Sequence, residues 1–240
     1  MVFCPIKHAK AYPFSIPESS YVLDREGLRA CGCMPSFDGR SAVIASGSNA
    51  SPERLMAKFS DHPHLLDDPI CVVRAQLHHF DVVYSAHIAS YGAIPATLAH
   101  LPGAVADVFI TYLTDAQLEH MHKTEARGVN YDFAKLTGIQ VLCDSGAGLT
   151  TAHAYISKHG CLNSAGHPVP LAEINAHGRQ WRAMNQEQVL DYACALAAPN
   201  ESTDDFIRQN IDSANIRSQR TGHLNQSALD LGWSGVEIVR

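Results

Sequence analysis

The order of apolar and polar positions divides the chain into short β segments separated by single helices. Ala42-Val43-Ile44-Ala45 is an apolar run of the length of a short buried strand. Gly47-Ser48-Asn49 breaks it, and Ser51-Pro52-Glu53 has the composition of a helix start, with Ser at the N-cap, Pro at the first helical position and an acid in the first turn. Residues 71–84 and 82–88 alternate as strands do, with Val82, Tyr84, Ala86 and Ile88 on one face. Residues 91–98 read as extended, Leu101-Pro102-Gly103 as a turn, and 105–112 as a strand rich in β-branched and aromatic residues. Strands are also predicted at 131–136, 139–142 and 150–157, where His153 and Tyr155 share a face opposite Ala152, Ala154 and Ile156. Closely spaced strands with Gly/Pro turns, broken by single helices, predict an α+β fold: a small, mixed, strongly curved β-sheet or barrel core flanked by helices.

The clearest helix signal covers 114–125. Thr114 is an N-cap, and Gln117, three residues on, completes a capping box. Leu118, Met121 and Glu125 then fall at i, i+3 and i+7 and share one face, which the first two mark as buried. Glu125 therefore ends an apolar stripe, where desolvation and the negative end of the helix dipole both favour the neutral carboxyl that a general acid/base needs. A plainer role is a salt bridge to Lys123 or Arg127. Further helices are predicted at 171–178, 185–198, 204–220 and 226–231, and 236–239 is a short apolar tail. Residues 1–40 carry no sustained periodicity and read as an arm, so the chain divides into an arm (1–40), a main domain (41–198) and a helical extension (199–240).

Composition narrows the function classes. The chain has 240 residues, 46% of them hydrophobic, enough for an ordinary core. A net charge of −6 with no Lys/Arg cluster gives no surface for nucleic acid or anionic membrane. No apolar run approaches the roughly 18 residues of a membrane span, and the first residues lack the layout of a signal peptide. Seven irregularly spaced cysteines do not form a disulfide framework, which points to a reducing cytoplasm; Cys31-x-Cys33 reads as structural or incidental thiols. The 14 histidines include His120-x-His122 and His78-His79. On a helix the first pair points about 200° apart, and on a strand the second pair faces opposite sides, so no metal is expected.

The strand-to-helix turn at 46–51 gathers backbone N–H groups and a positive helix end, a geometry suited to an anion or oxyanion. Four landmarks in order give that turn a context: Ala45-Ser46-Gly47-Ser48-Asn49 after a strand, Tyr91-Gly92-Ala93-Ile94-Pro95 with Leu101-Pro102-Gly103, the segment from Leu113 to Glu125, and Ala152-His153-Ala154-Tyr155-Ile156 followed by Gly166-His167-Pro168-Val169-Pro170-Leu171. Over roughly residues 42–183 this order resembles the gamma-glutamylcyclotransferase family, whose signature is a Tyr-Gly-Ser-Asn turn and whose acid/base glutamate follows a short helix. The resemblance makes 41–198 a catalytic domain for a small-molecule gamma-glutamyl amide, which cyclises to 5-oxoproline and releases an amine. It implies Glu125 as the catalytic residue and Ser46, Gly47, Ser48, Asn49, Ala50, Ser51, Tyr155 and Tyr131 as substrate-binding residues, with no cofactor. Ser46 stands where the family has a tyrosine, so a ring that would help form the pocket is absent. The segments 1–40 and 199–240 have no counterpart in that resemblance; they are candidates to cover the site or form a homodimer contact. The alternative is a non-catalytic binding or scaffold protein on the same fold.

Overall fold

Val43 and Ala45 face one hydrophobic cluster and Ile44 the other, the period of two expected of a strand buried on both sides. This strand is at the centre of the architecture. The computed structural model describes residues 3–31, 37–125 and 127–239; Cys33, the second thiol of Cys31-x-Cys33, lies outside them. In chain order the elements are α1 (Pro5–Lys10), β1 (Tyr21–Asp24), β2 (Gly27–Ala30), β3 (Ser41–Ala45), α2 (Pro52–Phe59), β4 (Ile70–Tyr84), β5 (Ala96–Leu113), α3 (Asp115–Thr124), β6 (Tyr131–Cys143) and β7 (Gly148–Ser157). After them come β8 (Asn163–Ser164), β9 (His167–Pro168), β10 (Ala176–His177), α4 (Gln186–Ala197), α5 (Thr203–Asp212), α6 (Ala214–Asn225) and β11 (Val236–Ile238).

Five of these strands close on themselves in the order β5-β3-β7-β6-β4, with β4 pairing back to β5. β3 runs antiparallel to β5, from Ser41 opposite Leu113 to Ala45 opposite Phe109, and parallel to β7 at Val43–His153 and Ile44–Ala154. The result is the mixed barrel of an α+β protein that the hydrophobic pattern predicts. On the barrel's inner side Ile44, Ile110, Ala154 and Ala134 meet in register; small side chains there let five strands close. On the outer side Val43, Ala45, Phe109 and Phe133 pack beneath Leu55 and Phe59 of α2 and Met121 of α3. The two helices are thereby fixed against the strand ends that bear the turn at 46–51.

Several sequence expectations are corrected. Leu101-Pro102-Gly103 does not end a strand: Phe80 is opposite both His100 and Val105, so 101–104 bulge out and β5 resumes. Gly103 (φ 89°) and His79 (φ 63°) adopt left-handed conformations at this bulge, which bends two long strands enough to close the barrel. The predicted strands at 131–136 and 139–142 join into β6 through a second irregularity between Thr137 and Val141. The strand expected to reach residue 88 stops at Tyr84, and the extended stretch at 91–98 becomes strand only from Ala96.

The segment 171–178 is not helical. Ala176 and His177 pair with β5, and the Asn175 carbonyl accepts from the Asp107 amide (2.8 Å), so sheet pairing overrides its local pattern. The helix expected at 204–220 is two helices, because Ser213 ends α5 and its hydroxyl caps α6 at the Ile216 amide (3.3 Å). Residues 226–231 are a loop whose Leu229 pairs with Cys161. The stretch 1–40 holds α1 and the β1–β2 hairpin, and β1 joins the sheet beside β4. The helix expected at 185–198 is α4, Gln186–Ala197, with Asn185 as N-cap and the full capping box of Asn185 and Gln188.

The loop at 171–179 is tied down by a buried charge pair. Asp81 of β4 is fully buried; Arg179 meets it with Nε at 2.7 Å and Nη2 at 2.8 Å, and Nη2 also donates to the carbonyls of Ile174 (3.0 Å) and Leu171 (3.3 Å). Breaking such a pair from one side leaves an uncompensated buried charge. Arg179→Met is therefore expected to lower unfolding free energy by about 3–5 kcal/mol in urea melts; a change under about 1 kcal/mol would mean that the pair is not sealed from water.

Candidate functional site

The end of β3 opens into a cleft of about 180 Å³. Its walls come from the turn (Ser46, Gly47, Ser48, Asn49), α2 (Arg54, Lys58), the end of α3 (Thr124, Glu125), β6 and β7 (Tyr131, Tyr155), the 85–95 loop (His87, Tyr91) and the N-terminal segment (Tyr12). Glu125, Ser46, Gly47, Ser48, Asn49, Tyr131 and Tyr155, singled out from sequence, all border this one cavity. Ala50 and Ser51 do not. Ala50 is buried with its carbonyl accepting from Tyr21 Oη (2.9 Å), and Ser51 Oγ is buried without a partner, so Ser51 is the N-cap of α2 by backbone position and not by side-chain bonding.

The turn is a single 3₁₀ turn, Ser48–Ala50. The Ala50 amide donates to Gly47 O (2.9 Å) and the Ser51 amide to Ser48 O (3.1 Å). The Ser48 amide faces Tyr12 Oη. Of the amides of 46–51, those of Ser46, Gly47 and Asn49 have no such partner among the described residues, fewer than the composition of the stretch implies.

Tyr12 is the residue that sequence reasoning missed most completely. Its hydroxyl accepts from the Ala96 amide at 2.7 Å, and burial pushes its ionisation well above the usual range. A phenol thus lies against the turn although position 46 is serine. It comes from the arm, 34 residues earlier (46 − 12), and Pro, Gly and Cys scattered through that segment gave no periodicity to place it. Gly47 exists to admit it: a Cβ at Gly47 would lie 2.3 Å from Tyr12 Oη and 3.2 Å from Ala96 Cβ.

Glu125 follows the last residue of α3 as its C-cap, and its side chain is largely buried. It pairs with neither Lys123, which meets Glu119 at 3.4 Å, nor Arg127; its carboxylate contacts Lys58 Nζ. Lys58 in turn donates to Asn49 Oδ1 at 2.7 Å, so one ammonium joins the turn to the carboxylate. Burial and the nearby Arg54 guanidinium pull Lys58 down to about 7, while the Glu125 carboxylate in contact with it favours the charged form. Among the described residues Arg54 carries no ion pair and its Nε is buried without a partner; the guanidinium lies over the Phe14 ring at 4.6 Å. An unpaired guanidinium on a cleft wall is a place for an anion.

The aromatic walls have their polar ends engaged. Tyr155 Oη bonds His122 Nδ1 (2.8 Å), and Tyr131 Oη donates to Ala96 O (3.2 Å). Tyr91, raised to about 12 by burial, packs beside His8 and Phe14. His120 turns the other way from His122, with Nε2 at 2.7 Å from Lys58 O. Among the described residues no three His, Cys, Asp or Glu side chains gather as a metal set. No helix among the described residues is long and apolar enough to cross a membrane.

No family model and no curated protein matches the sequence. Solved structures similar to this chain include one described as a gamma-glutamyl cyclotransferase, at 16% identity over 50% of this chain and 67% of that one, with a TM-score of 0.38. Another is an uncharacterized protein from Homo sapiens, at 16% identity over 50% and 68%, TM-score 0.40. A third is a gamma-glutamyl cyclotransferase specific to glutathione from yeast, at 11% identity over 80% and 98%, TM-score 0.33. The barrel rests on its own strand pairings, and the site on its own side chains.

The close approach of Gly47 to Tyr12 yields a coupled prediction. Gly47→Ala should cost about 1–3 kcal/mol by overpacking, and Tyr12→Phe about 1–3 kcal/mol by orphaning the Ala96 amide. Because both act at one contact, chemical denaturation of the double variant should show a loss well below the sum. Additive losses would separate the two residues.

Proposed function

We propose that the cleft binds a gamma-glutamyl amide and catalyses its cyclisation to 5-oxoproline with release of the amine. The observation that carries this reading is the meeting of Glu125 with the Gly47–Asn49 turn in one cavity of amino-acid size, linked by Lys58. Arg54 takes the α-carboxylate of the glutamyl group, the one fixed anion of this substrate class, and the Gly47 and Asn49 amides polarise the γ-carbonyl.

The substrate's own α-amino group is the nucleophile, so no protein nucleophile is required. Glu125 accepts a proton from the α-ammonium; the freed amine attacks the γ-carbonyl carbon and closes a five-membered ring. The C–N bond to the leaving amine then breaks as Glu125 returns that proton to its nitrogen; the ring nitrogen gives up its second proton to the same amine, which departs as an ammonium and leaves a neutral lactam. Holding the chain in the near-ring conformer can supply on the order of 7–11 kcal/mol, and the proton transfers roughly 10²–10⁴-fold in rate. Lys58, in contact with Glu125, sets the charge against which that carboxyl works.

The Lys58 contact also favours a second reading. A carboxylate already neutralised by an ammonium is a weaker base, which fits a protein that binds gamma-glutamyl compounds without turning them over. One experiment separates the two: incubation with a panel of gamma-glutamyl amino acids and amines, with 5-oxoproline read by mass spectrometry. Turnover by the wild type that falls at least about 10²-fold in Glu125→Gln supports catalysis; equal behaviour of the two proteins on every substrate defeats it. Arg54→Met is expected to raise KM about 10- to 100-fold for substrates bearing the α-carboxylate, as loss of a charged hydrogen bond implies. The same variant should leave the corresponding α-carboxamides nearly unaffected. Equal effects on both substrate sets would remove Arg54 from the carboxylate site.

A further inference from the structure

The loop between β4 and β5 brings into the cleft a histidine that the mechanism above does not use. His87 is 1% exposed and borders the cleft beside Tyr131. Its ring is clamped on two sides, by the Tyr131 ring at 5.4 Å and the His159 ring at 4.8 Å. The backbone around it is equally fixed: the Ser85 amide donates to Pro95 O (2.7 Å) and the Ala86 amide to Gly160 O (3.0 Å).

A chain of hydrogen bonds ends on one nitrogen of this ring. The His159 backbone amide donates to Ser157 Oγ at 3.0 Å. Ser157 Oγ lies 2.6 Å from Ser85 Oγ, which lies 2.6 Å from His87 Nδ1. A backbone amide can only donate, so Ser157 enters the chain as an acceptor. Its own proton then has one recipient among the described residues, Ser85 Oγ, and the Ser85 proton has one recipient, His87 Nδ1. The reverse direction would send the proton of the half-buried Ser157 hydroxyl to solvent, so the direction toward Nδ1 is the one that keeps every hydroxyl proton of the chain within the protein. That direction makes Nδ1 the acceptor and puts the ring proton on Nε2, which has no protein partner among the described residues.

We propose that His87 is a substrate-positioning residue, presenting a fixed Nε2–H donor in the cleft to an oxygen acceptor of the bound ligand, with Ser85 and Ser157 setting its tautomer. Burial, reinforced by His159, lowers His87 to about 3, so the ring stays neutral and donates without adding charge. In the gamma-glutamyl reading, on which the ligand's identity here rests, the acceptor is a carbonyl or carboxylate oxygen of the substrate. The donor differs from Arg54 in kind: it recognises an oxygen acceptor without requiring a full negative charge.

The test combines imidazole nitrogen NMR of the full chain at neutral pH with kinetics. His87 is expected to appear as the neutral Nε2–H tautomer, and its Nε2–H signal to shift when L-glutamine or a gamma-glutamyl amide is added. Ser85→Ala should convert that signal to a mixture of tautomers while leaving the thermal unfolding midpoint within a few degrees. His87→Ala should raise KM about tenfold, the value of one neutral hydrogen bond, with a smaller change in kcat. His87→Gln, which keeps an N–H donor, should recover part of that loss. If no gamma-glutamyl amide is turned over but the Nε2–H signal still responds to these compounds, the catalytic reading fails and this one stands. An Nδ1–H spectrum, an Nε2–H signal indifferent to every compound of the panel, or wild-type KM in His87→Ala would overturn it.

Discussion

The double pairing of β3 is the constraint on which the rest of the structure depends. By running antiparallel to β5 and parallel to β7, this five-residue strand closes the barrel and delivers its last residue to the rim. A parallel pair cannot be joined by a tight turn, so the whole of α2, β4, β5, α3 and β6 lies between its two members. The crossover therefore brings α2 and the end of α3 to the same rim as the turn that follows β3. Lys58 then spans the gap between Asn49 and Glu125, joining groups 76 residues apart in the chain (125 − 49).

The cleft is electrostatically lopsided. Two cations, Arg54 and Lys58, border it against one carboxylate, Glu125, and the remaining polar atoms are neutral donors or engaged hydroxyls. A ligand carrying one carboxylate balances that charge. The N-terminal and C-terminal segments take part in this environment. Tyr12 lies against Gly47, and α5 packs on Gly92 through Ile207 and Ile211, holding the loop that bears His87 and Tyr91. Lys10 of α1 pairs with Asp204 of α5 at 2.7 Å, so the two ends of the chain brace each other beside the cleft.

Much of this was legible in the sequence where the signal was local. The capping box of Thr114 and Gln117, the Ser-Pro-Glu helix start and the apolar run at 42–45 each depend on neighbours within four residues, and each element formed as predicted. The failures share a cause in tertiary structure. Leu101-Pro102-Gly103 has the chemistry of a turn, yet pairing with β4 on both sides turns it into a bulge within one strand. The 171–178 segment shows a helical pattern that β5 and Arg179 override. Arg54 and Lys58 stand four residues apart on the helix that directly follows the turn, a spacing the sequence does show; Tyr12 and His87 carry no spacing that relates them to Gly47, and only the barrel's closure brings them there. The hydroxyl chain that orients His87 is invisible in sequence for the same reason, since Ser85 and Ser157 are 72 residues apart.

In the proposed reaction Glu125 moves a proton while the substrate's own α-amine closes the ring. Its most direct test is the fate of a gamma-glutamyl amide labelled with heavy nitrogen at the α-amino group, followed by mass spectrometry with wild type and Glu125→Gln. The wild type is expected to place the label in the ring of 5-oxoproline and release the unlabelled amine, with near-loss of both products in the variant. Labelled glutamate in place of 5-oxoproline, or equal yields from the two proteins, would contradict it.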